Sequence, residues 1–226
     1  MRSLKHRSLA EMKAAWEAMA TMWLMQNEVF RGQWCGGGAL RSELPTMTFG
    51  TRQAAELYAG APNNHILAKG QEIRGEIFMA RLAARKVYCR TALADCDPFF
   101  DLDVIGNDFG RDVLEAVVAE WGSSATNSNA FEELHEETGL SLHEMVASWP
   151  DELPQLPPVD AHLALRVPAL VEAIQSAGYD AVAIGGSGAT HGQMEWHIFD
   201  PSLARDPETG EPLPVFSEDH DLEIIP

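Results

Sequence analysis

Residues 176–205 read SAGYDAVAIGGSGATHGQMEWHIFDPSLAR, and the order of residue types along them decides the architecture. Just upstream, Pro168 sits in a first helical turn, residues 170–177 carry an apolar stripe, and Gly178 stops the helix. The apolar run at 179–184 reads as a buried strand. A Gly/Ser loop over 185–192 leads to a second strand at 194–199, closed by Asp200 and Pro201. Alternation sets Gln193, Glu195, His197 and Phe199 on one face of it, and Met194, Trp196 and Ile198 on the other. A carboxylate beside a glycine loop at the mouth of an apolar strand is costly to bury without a partner. Glu195 is therefore the first candidate for a working carboxylate, weighed against a structural Glu satisfied by its neighbours. His197 has three open roles: partner of Glu195, core histidine, or metal ligand together with His191 and Glu195.

Working outward, residues 8–29 place Leu9, Met12, Trp16, Met19 and Trp23 at helical spacing, which predicts an amphipathic helix packed on the body or at an oligomer interface. Gly36, Gly37 and Gly38 read as a flexible connection, since no GxxxxGK[ST] pattern accompanies them. Pro45 opens a short strand at 46–49 that ends in Gly50, and Thr51 caps a helix over 51–58. Asn63 and Asn64 lie in a loop; residues 76–89 begin as a strand and are ambiguous in their Ala-rich middle. The aspartates of 95–103 do not follow a calcium-loop spacing and read as a solvated turn. Helices are expected at 110–121 and 129–149, the second broken near Gly139 and restarted by Ser141 with Glu144 as its capping-box partner. The proline-rich 150–158 is a stiff connection, and the Pro- and Glu-rich chain after Arg205 is expected to be extended or partly disordered.

The 226 residues carry 34 acidic and 16 basic side chains, a formal charge of −18. Residues 1–113 hold 14 Lys/Arg against 13 Asp/Glu, whereas residues 114–226 hold 2 against 21. Such a balance argues against duplex nucleic-acid binding, which needs a basic surface. The cluster Arg74, Arg81, Arg85, Lys86 and Arg90 suits either a solvated strand face or the steering of a small anion. Cys35, Cys89 and Cys96 form no CxxC pair, and His135-Glu136 and His143-Glu144 form no HExxH, so no resident metal is assigned and a cytoplasmic setting is expected. The charges at Glu11, Lys13 and Glu17 interrupt any signal-peptide or membrane-spanning run near the start.

The stretch SAGYDAVAI…GQMEWHIFDPSLAR resembles the last third of the ADP-ribosyltransferase fold shared by bacterial toxins, poly-ADP-ribose polymerases and phage-encoded transferases. In that family a helix ends in Gly-Tyr-Asp, a strand follows, and a loop leads to a strand bearing the catalytic Glu. TMTFGTRQAAELYAG, at 46–60, is similar to the family's opening motif, His-x-Gly-Thr before an Ala-rich helix. The likeness covers roughly 45–95 and 165–205. It implies an α+β fold with a split β-sheet core, an N-terminal helix and connection over 1–40, a transferase domain over 41–205 with a helical insertion at about 110–150, and an acidic tail at 206–226. Phage transferases carry a similar helical insertion.

The resemblance also implies chemistry. The chain would be an NAD-dependent mono-ADP-ribosyltransferase, effector- or toxin-like, acting on a macromolecule, expected to be a protein. NAD is the substrate, and Glu195 stabilises the positive charge that develops on ribose when nicotinamide leaves. Gln193, two residues earlier, points toward the acceptor and, being an amide rather than a Glu, favours a target other than arginine. Thr48, Phe49, Gly50, Thr51 and Tyr58 would contact NAD, with Thr48 standing where the polymerase-like branch has His. Phe78 and Tyr88 compete with Tyr58 for the stacking role. A second register takes VFRGQ, residues 29–33, as the family's first-strand Arg motif, so that Arg31 rather than Thr48 is the first anchor. No Ser-Thr-Ser strand separates Arg31 from Glu195 in that register. Two other readings remain: an NAD glycohydrolase, and a non-catalytic acidic binding protein on a degenerate scaffold of this kind.

Overall fold

A computed structural model describes residues 8–34, 39–40, 45–60, 75–95, 97–121, 129–187 and 190–215. Gly36, Gly37, Gly38, Asn63, Asn64, Arg74, Cys35, Cys96 and the last eleven residues of the acidic tail, on which several expectations rest, lie outside them. In chain order the strands are β1 (Val29–Trp34), β2 (Met47–Gly50), β3 (Gly75–Leu82), β4 (Val87–Tyr88), β5 (Phe99–Phe100), β6 (Val159–Asp160), β7 (Ala181–Gly185), β8 (Met194–Ile198) and β9 (Ala204–Arg205). Seven form one sheet in the order β4-β7-β8-β2-β1-β3-β9, and β5 pairs with β6 separately. Among these strands only β4 and β7 pair in parallel. The fold is α+β with a mixed sheet. Val29–Trp34, which the sequence division places in the N-terminal segment, is an inner strand of that sheet. The ladder is continuous, but β1 meets β2 at a single register position, Phe30 opposite Gly50. The sheet thus has a seam between two better-paired halves.

The two faces of the sheet carry different cores. On one, α1 (Leu9–Gln26) lays Ala20 and Leu24 against Val29, Met47, Phe49, Ala181, Trp196 and Ile198. Trp23 stacks on Trp196 with ring centroids 5.0 Å apart and planes within 9°, a contact worth about 0.5–1.5 kcal/mol beyond its buried area. The expected stripe is only partly the buried one: Leu9 and Met19 are 68% and 53% exposed. Ala20 is small enough for the helix backbone to approach the sheet, and the larger residues beside it are displaced outward.

The other face is covered in two blocks. At the β4/β7 end lie α3 (Leu102–Phe109), α4 (Arg111–Trp121), α5 (Asn129–Thr138), α6 (Leu142–Ser148), α7 (Ala161–Ala164) and α8 (Pro168–Ser176). They bury Ile105, Leu114, Leu142, Met145 and Leu170, among others, against Tyr88, Val182 and Ile184. Ser141 and Glu144 form the expected capping box, and Gly139 and Gly178 hold positive φ at the ends of α5 and α8. The acidic turn expected at 95–103 ends instead in α3, where the apolar side chains Leu102, Val104 and Ile105 bury themselves despite the poor helix formers that follow. At the other end, α2 (Arg52–Gly60) lies on β1 and β3. Two glycines permit this approach: a Cβ at Gly32 or Gly75 would sit 1.9 Å from the carbonyl oxygen of Ala55 or Ala59. Between the two blocks, β8 and β2 border an open strip, with α7 on one side and α2 on the other.

The chain after Arg205 is ordered further than its composition predicts. Asp206 accepts from the Glu208 and Thr209 amides, Gly210 turns the chain at φ +75°, and Leu40 donates to the Pro214 carbonyl. No helix among the described residues is long and apolar enough to cross a membrane.

Two predictions concern this framework. Gly32→Ala and Gly75→Ala each push α2 off the sheet; overpacking of this kind costs about 1–3 kcal/mol, a fall in Tm of roughly 2–10 °C for a chain this size, read by calorimetry. Asp108 joins α3 to α1 and β4 by accepting from Lys13 Nζ (2.6 Å) and Tyr88 OH (2.7 Å). Burial opposes its ionisation, but these two donors outweigh burial and hold its pKa below the ordinary value. The stabilisation is present above the unfolded-state pKa, about 4, and is lost as pH falls through the folded value. Asp108→Asn is therefore less stable than wild type at pH 7, and the gap narrows below about pH 4 in urea unfolding.

Candidate functional site

The uncovered strip of the second face opens into a cavity of about 180 Å³ bordered by residues of β1, β2, α2, α7 and β8. Glu195 forms its floor. Pairing of β8 with β2 sets Gly50 opposite Glu195 and Thr48 opposite His197, so these four positions share the open face, as alternation predicts. The Glu195 residue is 1% exposed. Its Oε1 accepts from the Thr190 hydroxyl at 2.7 Å and the Tyr58 hydroxyl at 3.1 Å. Its Oε2 stands 3.8 Å from His162 Nδ1 and 3.8 Å from His197 Nε2. Burial alone would raise the pKa of this carboxyl; His197 and the Thr190 hydroxyl outweigh it, and the net displacement is downward. Glu195 is an anion at neutral pH, held by His197 and by the hydroxyl dipoles of Thr190 and Tyr58.

Those dipoles are placed by the local backbone. Gly186 donates to the Gln193 carbonyl at 2.7 Å, and Gln193 donates back to the Thr190 carbonyl at 2.9 Å, which folds the loop against the start of β8. A Cβ at Gly186 would meet the Thr190 carbonyl oxygen and hydroxyl at 2.5 Å. The glycine therefore leaves room for the threonine that serves Glu195. Tyr58 comes from the last turns of α2; burial first, and then the Glu195 charge, push its pKa up to about 12. It remains a phenol and a donor.

His197 is 1% exposed, and its Nδ1 lies 3.2 Å from Thr46 Oγ1 and 3.3 Å from Thr48 Oγ1. Its Nε2 has no hydrogen-bond partner among the described residues. His162, on α7, faces it edge-on with ring centroids 5.2 Å apart. Burial and then the neighbouring His197 lower the His162 pKa to about 4, so this imidazole is neutral at pH 7.

Arg31 reaches the cavity by a route that strand alternation does not predict. Val29 lies in the core under α1, and Arg31, two residues on, starts on that same face. The single-pair seam between β1 and β2 lets its guanidinium donate from Nη1 to the Thr48 carbonyl at 2.9 Å and border the cavity. Burial lowers its pKa to about 10, leaving it cationic at neutral pH.

Most residues singled out in the sequence meet here. Thr48, Gly50, Tyr58 and Glu195 line the cavity. Thr51 caps α2 by accepting from the Ala54 amide at 3.2 Å, and its hydroxyl donates to Gln193 Oε1 at 2.7 Å, which holds Gln193 at the half-buried rim. Phe49 also borders the cavity, but its residue is 1% exposed and belongs to the core with Met47 and Trp196, opposite Trp196 in the ladder. The aromatic on the cavity side of the sheet is Phe30, with the Arg52 guanidinium 5.9 Å from its ring centre. Phe78 packs against the core under α1, and Tyr88 is buried in the other core, which removes both from the stacking role. His191 is exposed and stands apart from the His162–Glu195–His197 group.

Sequence reasoning missed His162, Thr190, Thr46 and Phe30. Thr190 and Phe30 sit inside motifs already singled out and follow from alternation or loop position. His162 lies beyond the expected insertion with no local pattern, and only the folded chain brings it to Glu195. Comparison with known protein families, curated proteins and solved structures yields no match.

Thr190→Val deletes the shorter of the two hydrogen bonds to a buried carboxylate without changing side-chain shape. It is expected to cost about 1.5–3 kcal/mol at pH 7, measured by urea unfolding, and more than Tyr58→Phe, whose hydroxyl is farther away. Both variants raise the Glu195 pKa, so both deficits shrink as pH falls below the ordinary carboxylate value, about 4.3.

Proposed function

We propose that the chain is an NAD-dependent mono-ADP-ribosyltransferase built on the ADP-ribosyltransferase core, acting on a macromolecular acceptor. One observation carries this reading: Arg31, Thr48 and Glu195, on the adjacent strands β1, β2 and β8, border one cavity. The two sequence registers for NAD contact compete along the chain but coincide in space, because β2 with its Thr48-Phe49-Gly50-Thr51 run lies between Arg31 and Glu195.

The donor set suits the ligand. A buried anion, a cation, hydroxyl groups and an aromatic ring are what a cationic pyridinium–ribose joined to a diphosphate requires. The cavity is smaller than the roughly 300–1,000 Å³ that encloses a whole drug-sized ligand, which fits entry of the nicotinamide–ribose end alone. When bound, NAD supplies a ribose carbon from which nicotinamide departs with the bonding electron pair, and an acceptor nucleophile closes the new bond and loses its proton. Glu195 places negative charge, poorly screened by water, where the ribose becomes positive. Tyr58 and Thr190 hold that carboxylate by Oε1 and leave Oε2 turned toward the imidazoles. Arg31 supplies the charge for the phosphates, the role in which a guanidinium is strongest. Gln193, fixed by Thr51, offers an amide at the rim, which favours an acceptor other than arginine. The acidic second half of the chain suits a basic target surface.

The decisive experiment is incubation with labelled NAD and a cell lysate, followed by identification of the labelled residue. Glu195→Ala is expected to lower NAD cleavage at least about 100-fold while the far-ultraviolet circular dichroism stays that of wild type. Arg31→Ala is expected to raise KM for NAD about 10-fold or more with a smaller effect on kcat. Labelling by Glu195→Ala at the wild-type rate overturns the proposal. Free ADP-ribose formed without acceptor identifies a glycohydrolase instead. A non-catalytic scaffold is the second reading, favoured by Thr48, whose hydroxyl lies 3.3 Å from His197; it predicts no thermal stabilisation by millimolar NAD.

A further inference from the structure

We propose that His162, Glu195 and His197 form a binding site for a zinc-class divalent cation, and that its occupation stops NAD cleavage. The three side chains come from α7 and β8, and their donor atoms lie within 4.8 Å of one another. His162 Nδ1 and His197 Nε2 are each 3.8 Å from Glu195 Oε2. Ligands around a tetrahedral zinc with bonds of about 2.0–2.1 Å stand roughly 3.3 Å apart, so closure needs a contraction of about half an ångström on each of those two edges and of up to about 1.5 Å between the two imidazoles.

A second observation is independent of that proximity. His197 Nε2 is buried and has no hydrogen-bond partner among the described residues, on a ring whose other nitrogen is held by Thr46 and Thr48. An orphaned buried nitrogen is costly, and a metal ion at Nε2 would satisfy it. The threonine oxygens would then accept from Nδ1–H, the outer-shell arrangement that orients metal-bound histidines. The helix that carries His162 is itself anchored: the Asp160 carboxylate caps α7 by accepting from the Leu163 amide at 3.0 Å, and β6, which contains Asp160, is paired to β5. Two imidazoles and one carboxylate select zinc-class ions over calcium or magnesium, which prefer oxygen. His162 and Glu195 line the cavity, which leaves a fourth coordination position on its side.

The inhibition rests on the transferase reading; the binding does not. A cation on Oε2 neutralises the charge that Glu195 would direct at the ribose. The test is isothermal titration of the chelator-treated full chain with zinc chloride, alongside NAD cleavage with and without added zinc. The expected result is one equivalent bound, weakened about 100-fold by His162→Ala and by His197→Gln, and unchanged by His191→Ala. Zinc should abolish NAD cleavage and EDTA should restore it. His162 is partly exposed on a short helix, so its variant reports even where the buried His197 variant fails to fold. Wild-type affinity in His162→Ala, or no binding at millimolar zinc, overturns the site. Tight binding with undiminished cleavage overturns the inhibition. A chain that binds zinc through His162 but never cleaves NAD overturns the transferase reading and the inhibition together, while the site stands.

Discussion

Burying one carboxylate in the middle of a sheet is the constraint around which the rest of this structure is arranged. Glu195 sits where an apolar side chain would pack without cost, and no Lys or Arg among the described residues forms an ion pair with it. Its charge is balanced by hydroxyls drawn from a loop and a helix, with two imidazoles at the second oxygen. Each donor imposes a demand farther out. Thr190 requires Gly186, Tyr58 requires α2 close on β1, and His162 requires α7 to fold back over β8. A structural Glu would be expected at lower cost on the surface. Its place at the foot of a cavity is the observation on which the proposal that it acts on a ligand rests.

The elements nearest this constraint are the most legible in the sequence. Gly178, the apolar run before Gly185 and the alternation of 193–199 specify α8, β7 and β8 with little interference, since turn chemistry and period point the same way. Thr51 and Ser141 announce their helices through capping. Legibility fails where tertiary contacts override local preference. The residues 102–109 include Gly106, Asn107 and Asp108, poor helix formers, yet Leu102, Val104 and Ile105 gain enough burial to wind them into α3. In α1 the eye follows Trp and Met, whereas the helix rests on Ala20 and Leu24.

The site divides in the same way. Glu195, Gln193, Thr48, Gly50, Thr51 and Tyr58 are legible because they lie within two short motifs. Phe49 lies in the same motif but in the core beneath α1, because a motif carries both faces of a strand. Arg31 falls in a rival register because no Ser-Thr-Ser strand follows its motif, and its reach across the seam to Thr48 exists only in the folded sheet. His162 has no signal, since its proximity to Glu195 exists only after the long helical segment before it has closed.

The approach of α2 to β1 and β3 has a consequence for how the cavity can vary. Where helices meet sheets through side chains, the gap between them can be retuned by exchanging one apolar residue for another. Here the contact at Gly32 and Gly75 is backbone against backbone, with no side chain to exchange. The width of the cleft on the Tyr58 side is therefore set like a machined stop, and variation in the shape of the cavity is left to the opposite wall, where side chains such as His162 on α7 can be exchanged.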